Sequence, residues 1–350
     1  MDYTYISIFV IFLVLAFYYK NASENSKVII QYVCLNFLIL FFGLHGNVGD
    51  DYVIYQSFYY NPSINEAIIY GPIYSLFSLM LSFFNLPFQC LIFLISVIVN
   101  VLLIRFFAKN NYNIPFSVAI FFALGGIINE IDFIRSVLGL MIFVNSIEYI
   151  YSRNFKKYFT LNFIGFLCHY SSILYIPFYW IGRKTISVRI LIVVFAVGLI
   201  LAPLYLSFSC FLPSIENSNF FLYIEHAYKY FHQFQGLKLH FSIGTIERIT
   251  TAVLLCIFHK KLIQDIYART AIWGFVFYFL CYTCLSNYAV LATRLANLYI
   301  FSYWILLPLF IKYIKNIKIK KYYTFFLLLY MIFRLISISL MPQWHYQLCF

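Results

Sequence analysis

Chemistry concentrates first in the stretch 42–58, FGLHGNVGDDYVIYQSF. Here a mostly apolar chain turns polar, acidic and glycine-bearing. Asp50 and Asp51 are adjacent, His45 precedes them, Tyr52 and Tyr55 follow, and no Lys or Arg stands among them. Such carboxylates can take a proton from a substrate hydroxyl or orient it. They can also hold a divalent cation, but one pair without further oxygen ligands is a weak metal signal. The stretch follows two hydrophobic runs, lies at a membrane boundary and reads as one wall of an active site. Arg135, His169 and Arg294, placed within or beside later apolar runs, are the expected other walls.

Ionisable groups inside membrane spans cost about 2.5–3.5 kcal/mol each on insertion scales and mark pathways or sites by default. Arg135 follows Asp132 by three residues in NEIDFIRSVLGLMIF. One reading is an intrahelical Asp–Arg pair at i, i+3. The other, favoured by the depth of the site in apolar sequence, is an arginine facing a cavity with Asp132 tuning its orientation. Arg294, in YAVLATRLANLYIF, has no carboxylate near it in sequence. It either snorkels to the membrane surface from a helix end or seeks a phosphate or carboxylate elsewhere, which a guanidinium binds well in bidentate fashion. Arg248, beside Glu247 in GTIERITTAV, is a weaker candidate at the start of a span.

His169, in FIGFLCHYSSILYIP, has apolar sequence on both sides and Ser171 and Ser172 after it. A lone histidine on an apolar helix is more often a packing residue. A neutral imidazole with a pKa near ~6.5 can also take a proton from a hydroxyl nucleophile. His169 and Asp51 are thus the two candidate bases. Arg135, Arg294, Arg248, Asp50, Asp132, Tyr52 and Tyr55 are the candidate substrate-binding groups. The reading includes no metal and no cofactor.

The elements that must position these groups are membrane helices. At 63% hydrophobic and 10% charged, the chain is far from a soluble domain, which carries about 25% charged residues. A span needs roughly 20 mostly apolar residues. Runs of that kind recur at 3–19, 28–44, 67–84, 88–106, 115–130, 133–151, 158–181, 187–207, 243–259, 269–287, 293–311 and 322–340. The fold class is all-α: one polytopic membrane domain over 1–350 with about 10–12 transmembrane helices. Unbroken runs exclude an outer-membrane barrel, whose strands alternate polar and apolar residues. The first run lacks the basic start and small-residue cleavage site of a signal peptide, so it reads as a retained helix.

The net charge of +12 does not indicate nucleic acid, because Lys and Arg cluster in short loops between apolar runs. Basic loops at 20–27, 105–109, 153–157, 183–189, 260–269 and 312–321 should face the cytoplasm. The stretches 45–66 and 208–242 should then face the far side. Strict alternation fails twice. Two runs separate 45–66 from the basic loop at Arg105, and the run 158–181 has basic loops at both ends. Either 67–84 or 88–106 stops short of crossing, and 158–181 is a broken or re-entrant pair pivoting at His169. Non-helical backbone at membrane depth survives only where it lines protein or water, so such a pivot puts His169 in a cavity.

The stretch 208–242 mixes Tyr223, Tyr228, Tyr230, Phe231 and Phe234 with His226, His232 and His240. An interfacial helix with an aromatic face explains it, and a lid stacking on sugar rings is the sharper alternative. The histidines lack ligand spacing on one helical face. Most of the eight cysteines lie in apolar runs, and Cys281 with Cys284 reads as helix packing with no partner pair.

Four stretches in order, 46–55 (GNVGDDYVIY), 134–139 (IRSVLG), 167–173 (LCHYSSI) and Arg294 with Tyr299, give the chain its resemblance to the EpsG family. That family groups with Wzy-type O-antigen and exopolysaccharide polymerases. Its glycine, variable residue, aspartate and tyrosine align with Gly49, Asp50, Asp51 and Tyr52, which singles out Asp51 as the functional carboxylate. An arginine often found upstream aligns with His45, so one cation is missing or replaced. The family's arginine, glutamine and alanine align with Arg135, Ser136 and Gly139, and its histidine with His169.

The resemblance implies a GT-C-like membrane glycosyltransferase of the bacterial inner membrane. Such an enzyme joins polysaccharide repeat units carried on undecaprenyl pyrophosphate at the periplasmic face. Its partners would be that lipid-linked glycan, membrane lipids and, where chain length is controlled, a regulator protein. Arg135 and Arg294 would suit the pyrophosphate, and His169 or Asp51 the acceptor hydroxyl. Two rivals share parts of this pattern. A lipid-linked oligosaccharide flippase would also bury arginines, and its loss would leave almost no surface glycan. A membrane-bound sugar acyltransferase would use His169 as base, and its loss would leave polymer without ester groups.

Overall fold

The computed structural model describes residues 2–110, 113–204, 239 and 241–349. Among them there is no strand, only an isolated bridge between His45 and Leu348. In chain order the helices are α1 (Thr4–Asn21), α2 (Glu24–Gly43), α3 (Tyr52–Tyr60), α4 (Ile64–Tyr70), α5 (Pro72–Phe83) and α6 (Phe88–Lys109). There follow α7 (Ile114–Phe121), α8 (Ile127–Ile131), α9 (Ile134–Tyr151), α10 (Phe155–Cys168), α11 (Phe178–Ile181) and α12 (Val188–Leu201). The last five are α13 (Ile243–Leu262), α14 (Ile266–Cys284), α15 (Ala289–Asn297), α16 (Phe301–Tyr313) and α17 (Ile317–Ser339). The stretch 208–242, with its lid or interfacial helix, lies outside the described residues but for 239 and 241–242.

Six helices are long and apolar enough to cross a membrane: α1, α2, α6, the kinked stretch Ile114–Ile131, α9 and α17. The pair α15 and α16, bent by 64°, would be a seventh. The chain is thus an all-α polytopic membrane protein, with fewer full-length crossings among the described residues than the ten to twelve expected from hydropathy. The shortfall has local causes. The run 67–84 divides at Gly71, whose φ of 95° and ψ of 140° suit glycine alone. What remains, α5, has 12 residues and is about 18 Å long, against about 30 Å of hydrocarbon. The run 158–181 divides at His169, where the backbone is extended (φ −155°, ψ 124°) between α10 and a 3₁₀ turn at Tyr170–Tyr175. The run 243–259 forms α13, which carries Glu247, Arg248, Lys260 and Lys261. The first two breaks fall where the basic-loop pattern fails to alternate.

The chain divides into two compact units. One comprises Met1–Tyr149, Asn154–Ile176 and Ile314–Phe350, and the other Ile150–Arg153 and Pro177–Tyr313. In the first, α2 packs along α6 and α1 along α7. An aromatic cluster of Tyr5, Phe12, Phe41 and Phe122 fills the space between them, with Phe41 and Phe122 ring centroids 5.5 Å apart. Exposed apolar side chains such as Phe17, Ile29 and Phe325 lie on α1, α2 and α17, as expected of faces turned to lipid. Some polar groups inside the bundle are paired: Asn162 donates to Ser146 Oγ at 3.0 Å and Asn100 to Glu130 Oε2 at 2.8 Å. In the second unit, Phe275 and Phe279 of α14 meet Phe195 of α12, and Phe275 meets Tyr303 of α16.

Helices α9 and α10 approach closely because both carry glycine at the contact. A Cβ on Gly165 would sit 3.4 Å from Gly139 Cα, and one on Gly139 would lie 2.0 Å from Ser172 Oγ. The break at Gly71 is equally intolerant, since a Cβ there would meet Cys168 O at 2.8 Å. Gly71→Ala should therefore cost about 1–3 kcal/mol through its backbone conformation alone, read as a lower thermal midpoint of the purified protein in detergent.

Candidate functional site

The site is built around Asp132, in the short break between α8 and α9. Its carboxylate turns away from α9 and accepts the backbone N–H of Asp50 at 2.8 Å and of Asp51 at 3.3 Å. This approach requires Gly49, whose φ is 88° and whose absent Cβ would fall 2.2 Å from Asp132 Oδ1. The expected alternative of an intrahelical Asp132–Arg135 ion pair is corrected by this geometry. Among the described residues the ion pairs are Lys27–Glu24 and Lys109–Glu148. Asp132 bonds to the loop because two amides can reach its oxygen there. Burial, and next the nearby charge of Asp51, push its carboxyl up to about 7 although both amide bonds act in the opposite direction.

Arg135 points instead into a group of tyrosines. Its Nε donates to Tyr55 Oη at 3.4 Å, and Tyr55 in turn donates to the Asp132 carbonyl at 3.0 Å. Its Nη1 donates to Ile69 O at 3.3 Å, and its Cζ lies 4.6 Å from the Tyr70 ring centroid and 5.4 Å from that of Tyr55. Tyr74 is fully buried 5.6 Å from the Tyr55 ring. The guanidinium is thus held by neutral groups, with no carboxylate at ion-pair distance among the described residues. Tyr70 and Tyr74 were not legible as site residues. The signal was the Gly-Pro pair between them, which ends one helix and starts the next so that both rings face Arg135's neighbourhood.

His169 is held by the same turn. Tyr170 Oη donates to Ile68 O at 2.7 Å while Arg135 uses Ile69 O, and Gly71 packs on the Cys168 carbonyl. From the other side Ser172 lies against Gly139, one helical turn beyond Arg135. His169 Nδ1 accepts the Ser171 N–H at 3.3 Å and lies 2.5 Å from Ser171 Oγ. With Nδ1 accepting, the proton of the neutral ring is on Nε2.

The other expected residues are placed as follows. Asp50 is exposed and Asp51 half-buried. Tyr52 is buried edge-on to His45 (5.9 Å) and Phe88 (5.3 Å). His45 does not replace the missing cation. It is 1% exposed, its Nδ1 bonds to Gly46 O at 2.9 Å, its Nε2 has no partner, and burial pushes its pKa down to about 4. Arg248 and Arg294 belong to the other unit. Arg248 donates to Thr245 Oγ1 at 3.1 Å and stacks on Tyr282, 4.1 Å from its centroid. Glu247 accepts from Thr251 and Tyr303. Arg294 is exposed on α15, and Tyr299 is buried against Phe277 at 5.4 Å. Among the described residues no group of three or more His, Cys, Asp or Glu is arranged to hold a metal ion.

Six membrane-length helices, together with shorter helices broken at Gly71 and His169 where polar groups gather, define a multi-pass α-helical membrane protein. The EpsG family model matches residues 28–348, and the chain belongs to that family. No curated protein and no solved structure matches it.

The two shifted groups have opposite consequences for stability. His45 falls from 6.5 to about 4 on folding, so its contribution is complete above about pH 6.5 and is lost as pH falls. Asp132 rises from 3.8 to about 7, so folding binds a proton and stability is lost as pH rises. Between about pH 4 and 6.5 the slopes oppose. Asp132→Asn, which keeps an acceptor oxygen, should leave stability climbing with pH by about 3 kcal/mol across that window. His45→Gln should leave it falling. Thermal midpoints in detergent across the pH range check both signs.

Proposed function

We propose that this chain is a polysaccharide polymerase of a bacterial inner membrane. In this reading it joins oligosaccharide repeat units carried on undecaprenyl pyrophosphate at the periplasmic face, within a GT-C-like bundle. The supporting observation is the Arg135 guanidinium, fixed by Tyr55, Tyr70 and Ile69 O with no carboxylate at ion-pair distance among the described residues. A charge held this way at a break between apolar helices is costly unless an anion arrives, and a pyrophosphate presents paired oxygens that match its donors.

In the reaction the hydroxyl oxygen of the incoming unit's non-reducing sugar forms a bond to the anomeric carbon of the growing chain. The bond from that carbon to the pyrophosphate oxygen breaks, and its electron pair leaves with undecaprenyl pyrophosphate. The hydroxyl proton passes to Asp51. Of the two candidate bases, His169 is the less suited, because Nδ1 already accepts from Ser171 and Nε2 carries the proton. His169 instead donates from Nε2 to a substrate oxygen, and Arg135 stabilises the charge gathering on the pyrophosphate. Arg294 and Arg248 are assigned to the glycan or the lipid pyrophosphate by charge alone.

Arg135→Ala, His169→Ala and Arg294→Ala should each abolish long-chain glycan while membrane insertion is kept, with Arg135→Ala slowing polymerisation about 10²–10³-fold. A gene deletion should leave surface glycan of a single repeat. Normal ladders in all three variants would overturn the site. Loss of all surface glycan on deletion would point to a flippase, and full-length polymer lacking ester groups to an acyltransferase.

A further inference from the structure

The loop 44–51 carries Asp51, yet its only internal backbone bond outside the flanking helices runs from Val48 N to Gly46 O at 2.8 Å. Gln89 Nε2 of α6 donates to His45 O at 3.1 Å, and most of the loop's remaining backbone bonds come from two sides. On one side Asp132 receives the Asp50 and Asp51 amides. On the other lies the segment 343–349. Gly46 N donates to Gln347 O at 2.7 Å, Gly49 N to Gln343 O at 2.8 Å, and Cys349 N to Leu44 O at 3.1 Å. The His45–Leu348 bridge lies within this ladder, and a Cβ on Gly46 would lie 3.0 Å from Leu348 O.

The segment is itself anchored to helices remote in sequence from the loop's partners. Trp344 is buried, and its carbonyl accepts Tyr5 Oη at 2.7 Å. The Tyr346 ring stacks on Phe41, 4.4 Å between centroids and 11° apart, and its hydroxyl donates to Phe41 O at 2.8 Å. Tyr346 N donates to Asp2 Oδ2 at 2.6 Å.

We infer that the segment 343–349 positions the site: it sets the register of the loop 44–51 against Asp132, and so the place from which Asp51 acts. Gly46 and Tyr346 are positioning residues, which touch no substrate and act through the loop. Gly49 joins the two sides, because its N–H serves the segment while its Cα is what Asp132 packs against. The inference rests on the polymerase reading for the role of Asp51 but not for the geometry.

The experiment compares Gly46→Ala, Tyr346→Ala and Tyr346→Phe with the parent chain. It measures peptide-level hydrogen exchange in detergent and polymerisation rate against pH in membranes. Both alanine variants should speed exchange in peptides covering 44–51 at least tenfold, with α6 and α9 unchanged, and slow polymerisation at least tenfold. Tyr346→Phe, which keeps the stacked ring, should fall between. The groups facing Asp132 are Asp50, Asp51, Tyr55 and Tyr5. Asp132 holds the loop from which Asp51 acts, so its ionisation enters the rate; withdrawing the two loop amides removes bonds that favour its charged form, and the inflection of rate with pH should move to higher pH. A merely less folded enzyme would lose amplitude without that shift.

Unchanged exchange in 44–51 would overturn the inference, as would faster exchange with rate and inflection untouched. A parent chain that makes no polymer would sink the polymerase reading alone, because the exchange measurement needs no substrate.

Discussion

One carboxylate oxygen organises the polar part of this membrane protein. Asp132 Oδ1 gathers the Asp50 and Asp51 amides across a gap that only glycine at 49 leaves open. Without that acceptor, the first turn preceding α3 has no partner for two backbone donors in partly buried surroundings, and an unmade bond there costs more than a made one contributes. Everything downstream follows from where the loop then lies. Tyr55, on the first turn of α3, reaches back to the Asp132 carbonyl, and in doing so presents its oxygen to Arg135.

Arg135 is the counterpart of that arrangement. Because Asp132 is engaged by the loop, the arginine three residues on is left to aromatic faces and carbonyl oxygens. Cation–π contacts and neutral acceptors hold a guanidinium in place without cancelling its charge. An ion pair would have made it structurally comfortable and chemically inert. The same preference recurs at Arg248, which lies over Tyr282. Tyrosine rings thus hold the guanidinium of Arg135 in one unit and of Arg248 in the other.

Two interruptions in apolar sequence, at Gly71 and His169, bring His169 and Arg135 to one neighbourhood. Neither is a passive defect. The Gly71 turn offers successive carbonyls, Ile68 to Tyr170 and Ile69 to Arg135, so backbone that does not continue as helix is satisfied by side chains from two other elements. The π turn at Phe122–Gly126, with Gly125 at φ 106°, is a third interruption, and Asn129 donates to its Gly125 carbonyl.

Hydropathy alone established the all-helical, multi-pass class, because about 20 apolar residues per crossing leave a signal in any window of the chain. The order of short motifs pointed to the EpsG family, and the basic loops marked the run 158–181, and one of the two runs 67–84 and 88–106, as not crossing as a single helix; the structure places the second break at Gly71. Local residue types pointed to the Asp50–Asp51 pair, Arg135, His169 and Arg294 as candidates for chemistry, and the family resemblance singled out Asp51. What the linear chain left open was pairing. The i, i+3 spacing of Asp132 and Arg135 favours an ion pair on an isolated helix, whereas amides eighty residues earlier in the chain take the carboxylate instead. Tyr70, Tyr74 and the segment 343–349 carried no local mark, since a phenol beside a guanidinium and a backbone carbonyl beside a glycine become specific only when distant elements meet. Proximity of that kind is set by packing, and packing is decided by the tertiary structure.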